Sequence, residues 1–198
     1  LAGQGANIIF GISFGYIDAM NDKAEEYPEI IFSHATGYMG NDTNFNNYFG
    51  RIYQARYLTG VAAGLKSLEM GNNSIGYVAA YNREYAETCS GINAFALGAQ
   101  LVNPKARVHL EWTALKKLAG SPTEKLLKQN VDVLSNQDMI TPQYASKQFG
   151  VYQVHPDGSV RNIAMPIWNW GIFYEKLIQS LQSGSWESDN ADNGIRAI

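Results

Sequence analysis

The 198-residue chain carries 15 Lys and Arg against 18 Asp and Glu, a formal net charge of −3, and 45% apolar residues. That length and apolar share suffice to bury one or two cores, while the weak acidic balance lacks the dense positive surface with which nucleic-acid binders neutralise phosphates. A single cysteine, Cys89, excludes an internal disulfide and a thiol-rich metal site.

Leu1-Ala2-Gly3-Gln4-Gly5 reads as the tail of a helix with its glycine stop, so the chain is expected to begin inside a fold. From Ala6 onward, short apolar runs alternate with amphipathic stretches, the pattern of βαβ units around parallel sheets and hence of an α/β class. Strands are predicted over 6–12, 30–35, 74–80, 106–112, 131–135, 150–155 and 162–167. Helical spacing joins Leu58, Val61, Ala62, Leu65 and Leu68, then Ile92, Phe95, Ala96 and Ala99, then Phe173, Leu177 and Leu181. Gly60 and Gly64 on the first of these helices suit a close packing contact. Met70-Gly71-Asn72-Asn73 is a polar, turn-prone break, which predicts a partial N-terminal lobe over 1–72 and a C-terminal lobe over 73–198. Pro122 suits a first helical position. The polar end from Glu187 closes on apolar Ile195, Ala197 and Ile198 and is expected to be a second cut. No apolar run reaches the roughly 20 residues that span a bilayer, and the first residues lack the layout of a signal peptide.

Gly11-Ile12-Ser13-Phe14-Gly15 has neither the dinucleotide spacing nor the Lys-Ser/Thr of a phosphate loop. His34, His109 and His155 stand far apart and read as ordinary strand-end or surface histidines, and Cys89 reads as a small buried side chain. No catalytic residue, metal site or cofactor is expected. What recurs is aromatic and acidic residues where strands end, the place at which open parallel sheets bind ligands. Phe14 and Tyr16 follow the first strand, Trp112 closes a strand, Asp138 and Asp157 follow two others, and Trp168 and Trp170 follow Ile167. Rings stack on a planar heterocycle, and carboxylates accept hydrogen bonds from ribose hydroxyls or ring N–H groups. Each has a plainer reading. Phe14 is a stacking ring or a core ring; of Trp168 and Trp170, at most one faces ligand if the backbone is extended. Asp138 also suits a helix start, and Asp157-Gly158 is itself a hairpin-turn signal. Arg51 suits either an anion clamp or, better, the start of its helix.

Ile9-Phe10-Gly11-Ile12-Ser13-Phe14-Gly15-Tyr16, His34-Ala35-Thr36-Gly37-Tyr38 and Asn47-Tyr48-Phe49-Gly50-Arg51 resemble the basic membrane protein family, substrate-binding lipoproteins of ABC transporters. So do Ile75-Gly76-Tyr77-Val78-Ala79-Ala80, Gly91-Ile92-Asn93-Ala94-Phe95, Val102-Asn103-Pro104 and Trp168-Asn169-Trp170-Gly171, so the resemblance covers nearly the whole chain. It implies a type I periplasmic-binding fold of two Rossmann-like lobes and, as in several members, capture of a purine nucleoside or nucleobase. ABC permease subunits are the implied partners. The implied place is outside the cytoplasm, on a lipid anchor that precedes Leu1. By the same resemblance Phe14 is the aromatic of the glycine-flanked turn at the cleft, Trp112 lies at a cleft-facing strand end, Asp138 is the acid of a loop before a proline, and Asp157 is the acid after the Gly-Val-Tyr strand. A ligand-sensing regulatory module with the same fold is the alternative; an enzyme is not expected.

Overall fold

The apolar runs of the first fifty residues assemble into one sheet in the computed structural model, which describes residues 1–80, 84–113, 121–137, 145–188 and 195–197. β1 (Ile8–Ile12), β2 (Ile31–Ala35), β3 (Phe45–Phe49) and β9 (Ile195–Ala197) pair in that order, all parallel. A parallel sheet needs both faces covered. On one face α1 (Ile17–Glu26) lays Met20 and Ala24 on Ile30, Phe32 and Phe45. On the other, α6 (Trp170–Gln182) brings Tyr174 to 4.3 Å from Phe10 and stacks Phe173 on Tyr48 at 3.9 Å between centroids. β3 was not expected, because Asn46 and Asn47 are poor strand formers. Pairing on both sides overrides that preference, and both asparagines are buried.

The second unit begins with α2 (Ile52–Met70) and continues through β4 (Ser74–Ala79), α3 (Ala86–Val102), β5 (Arg107–Trp112), α4 (Pro122–Leu127), β6 (Val133–Asn136), α5 (Ala145–Gln148), β7 (Gly150–Val154) and β8 (Val160–Ala164). Its sheet runs β5-β4-β6-β7-β8. β4, β5 and β6 are parallel as expected, and β7 and β8 add an antiparallel hairpin at the edge beside β6. Ala63 of α2 shares one core with Ile75, Tyr77, Phe95, Ala99 and Val133.

The division between units also differs from the expected 72/73 boundary. One unit is Leu1–Arg51 with Trp168–Ile198, and the other is Ile52–Ile167. Met70-Gly71-Asn72-Asn73 is only the stop of α2: Gly71 takes φ +66°, and the Gly71 and Asn72 N–H groups return to the Leu68 and Ser67 carbonyls at 3.1 and 3.0 Å. Gly60 and Gly64 do make the close contact expected of them. A Cβ on Gly60 would stand 2.1 Å from the Phe95 carbonyl oxygen, and one on Gly98 equally close to that of Tyr57, so α2 and α3 touch backbone to backbone.

Candidate ligand-binding site

In the first unit β1, β2 and β3 end at a common edge, followed by Ser13, Thr36 and Gly50. Ser13 has φ 74° and ψ 163°, a region that is essentially glycine's alone. Neighbours hold it there. Its N–H donates to the Ala35 carbonyl at 3.3 Å, and its own carbonyl accepts from His34 Nε2–H at 2.9 Å and from the Tyr16 N–H at 3.3 Å. His34 is fully buried, with Nδ1 3.1 Å from the Asn47 side-chain amide. The ring thus ties the carbonyl of the Ser13 turn to the Asn47 side chain of β3. Gly37 is required beside this pair, since a Cβ there would lie 2.2 Å from His34 Nδ1. Sequence reading took His34 for an ordinary strand-end histidine; its cue was the register that pairs it with Asn47.

The Ser13 turn delivers Phe14, 37% exposed, and Tyr16, 60% exposed, to this edge. Trp168 reaches the same edge from the segment before α6, its ring against Gly50, where a Cβ would stand 2.1 Å from Cζ3. The two tryptophans do not point to opposite faces: Trp168 stacks on Trp170 at 4.4 Å and 15°, and Trp170 meets Tyr48 edge-on at 5.1 Å. Two strand spacings, about 10 Å, separate the end of β1 from the end of β3.

In the second unit Trp112 ends β5 and is half-buried, packed with Val108 on the core, so its ring is partly structural. Beside it the carboxyl ends of β4 and β6 are joined by buried polar groups. The Gln137 side-chain oxygen accepts the Ala80 N–H at 3.2 Å, and its Nε2 donates to Thr88 Oγ1 at 3.1 Å. Thr88 Oγ1 donates to the Ala80 carbonyl at 3.0 Å. The Gln137 carbonyl accepts from Arg56 Nη2 at 3.0 Å. Arg56 is 5% exposed, and its aliphatic stem lies so close to Gly91 that a Cβ there would meet its Cδ at 2.7 Å. Arg56 and the Tyr77 hydroxyl are buried side by side next to Gly91, and burial pushes the Tyr77 phenol up against the opposing charge and hydrogen bond of the guanidinium. The ion pairs among the described residues are Lys23–Glu26, Lys66–Glu69 and Lys125–Glu111, none of which engages Arg56. Arg51, the arginine singled out from sequence, is exposed. Arg56 was legible in its spacing with Ile52, Thr59, Gly60 and Ala63, the buried face of α2.

Asp157 does not share this edge. β7 runs opposite to β6, so the loop after β7 lies beside the amino end of β6, where the Val154 N–H donates to the Asp132 carbonyl at 2.9 Å. The Asp157 carboxylate accepts the Ser159 N–H at 2.9 Å inside the β7–β8 turn, and hydrogen bonds from Ser159 hold it below the usual range. Its turn-forming reading is the one the geometry supports, which removes it from the candidate site. Asp138 lies outside the described residues. An open depression of about 990 Å³ also occupies the amino edge of this sheet, lined by Asn72, Asn73, Lys105, Arg107, Asn130 and Asp132 among others. Ligands of open α/β sheets bind at the opposite, carboxyl edge. No group of three or more His, Cys, Asp or Glu that could hold a metal ion occurs among the described residues.

Two α/β units whose parallel strands end in aromatic and buried polar residues define the solute-binding class of fold. Two solved structures share it at a TM-score of 0.62 and 17% identity over all of this chain: an ABC transporter solute-binding protein from Aeropyrum pernix, 59% of which is covered, and a transcriptional activator of the comK gene from Bacillus halodurans, 69% covered. The chain belongs to the Bmp family, described as ABC transporter substrate-binding protein PnrA-like, which matches residues 1–195; this is a family of binding proteins, not of enzymes. A Haloferax volcanii relative named for glucose binding in an ABC transporter is 38% identical over 193 residues, 92% of this chain and 48% of the relative. A Brucella abortus relative named as a purine-binding protein is 31% identical over 209 residues, 99% of this chain and 57% of the relative. The chain thus spans about half the length of these curated relatives.

Proposed function

We propose that this chain is the ligand-capturing part of an ABC importer's substrate-binding protein and takes a purine nucleoside or nucleobase, with Phe14, Tyr16 and Trp168 of the first unit as its stacking rings. It would act outside the cytoplasm, anchored to the membrane by lipid, and pass its liganded form to permease subunits. The Ser13 turn carries this reading. A non-glycine residue in that backbone region costs about 1–3 kcal/mol and persists where a site needs it. Here a buried histidine holds the turn while the ring it delivers is left partly exposed. The Brucella relative's name supports a purine. The Haloferax relative's name favours a hexose as the second reading, since an aromatic face also accepts the C–H face of a sugar.

Isothermal titration with nucleosides, bases and glucose separates the two. Saturable heat with a nucleoside or base is expected, and Phe14→Ala should weaken it by about 1–3 kcal/mol, the range for one base stacked on one ring. Heat with glucose alone establishes the second reading. Heat with none of them removes both. A regulatory module with the same site would bind the same ligand without stimulating uptake by permease-containing vesicles.

A further inference from the structure

The outer face of the α2–α3 pair carries five leucines that the fold leaves uncovered: Leu58 is 67% exposed, Leu65 54%, Leu68 50%, Leu97 62% and Leu101 64%. They belong to one patch. Gly60 abuts the Phe95 carbonyl and Gly64 that of Ala99, so the two helices run parallel in close contact, level by level. The inward faces of both helices are spent on the core through Ala63, Phe95 and Ala99. Leu58 and Leu65 are two turns apart on the opposite side of α2, and Leu97 and Leu101 one turn apart on that of α3. Helices on a sheet ordinarily turn charge to solvent. α3 instead has no charged residue from Thr88 to its end at Val102. On α2, Lys66 and Glu69 neutralise one another at 2.6 Å.

At on the order of 100 Å² for each half-exposed leucine, the patch amounts to roughly 500 Å², the upper part of what a monomer leaves uncovered. Two such patches face to face remove about 1,000 Å² from water, the threshold for a specific association. We propose that the occupant is a second copy of this chain, the α2–α3 pairs of two protomers packing about a twofold axis as a four-helix layer. An isologous contact requires a patch that complements itself, and a leucine face whose Lys66 and Glu69 pair with one another does so without a partner of opposite sign. A formal charge of −3 per chain puts little repulsion against it. This interface lies on the helices and is independent of the proposed ligand.

Sedimentation velocity and light scattering over about 1–100 μM chain test it, that range bracketing the affinity of an interface at this threshold. The expected mass rises from 21.9 kDa towards twice that value with concentration. Leu58→Gln with Leu97→Gln should raise the dissociation constant at least tenfold; both positions are exposed, and an unchanged circular dichroism spectrum verifies the fold. A wild-type chain that stays monomeric throughout overturns the proposal. So does a dimer indifferent to the double substitution, or a longer protein that is monomeric while α2 and α3 are protected from hydrogen exchange, since another segment of the chain then covers the leucines.

Discussion

In the first unit every strand of the sheet is parallel, so β1, β2 and β3 place all their carboxyl ends, with Ser13, Thr36 and Gly50, at one edge. In the second, only β4, β5 and β6 do so; the hairpin of β7 and β8 reverses the chain and sends Asp157 to the other edge. The difference teaches that a strand end marks a site only once the direction of the strand is known. Both units nevertheless bury hydrogen-bonded polar side chains at the carboxyl edge, His34 with Asn47 in one and Arg56 with Gln137 and Thr88 in the other. Such groups hold loops in place where an apolar core would leave them free, at the risk of a large penalty if one partner is lost.

The largest effect is expected from breaking the first of these networks. His34→Ala removes a buried ring and strands the Asn47 amide, which should cost about 3–4 kcal/mol in urea denaturation. A loss below about 1 kcal/mol would show that Ser13 holds its backbone without His34. Next comes Gly60→Ala, which drives a methyl into the Phe95 carbonyl and should cost about 2–3 kcal/mol. A smaller cost would mean that α2 and α3 can part.

Arg56→Met sharpens the contrast between the two networks. The substitution removes the donor of the buried Gln137 carbonyl and should cost about 1–3 kcal/mol in denaturation. Ligand affinity should fall at the same time, because the Gln137 carbonyl loses its donor at the carboxyl edge of this sheet. Equal losses in the denaturation midpoint and in the titration would make Arg56 purely structural.

The smallest effect belongs to Asp157. Its carboxyl lies below the ordinary 3.8 through the Ser159 hydrogen bonds. A depressed folded value contributes stability above the unfolded value and loses it as pH falls through the folded one. Asp157→Asn should therefore flatten the acid side of a melting-temperature profile without changing ligand affinity. A lost affinity would return Asp157 to the binding site.

What the sequence determined by itself was local. Short apolar runs located seven of the nine strands among the described residues to within a few residues, helical spacing located α2, α3 and α6, and Asp157-Gly158 announced the hairpin turn. Ordered matches from Ile9 to Gly171 disclosed the family. These features depend on a residue and its near neighbours, so the order of side chains suffices to display them. Tertiary structure alone decided the rest: the pairing of asparagine-rich β3, the reversal at β7, the return of Trp168–Ile198 to the first unit, and the meeting of His34 with Ser13 across 21 residues. Each turns on which strand lies beside which and in what direction. That choice is made by burying both faces of a sheet at once, a condition on the whole chain that no short window of sequence contains.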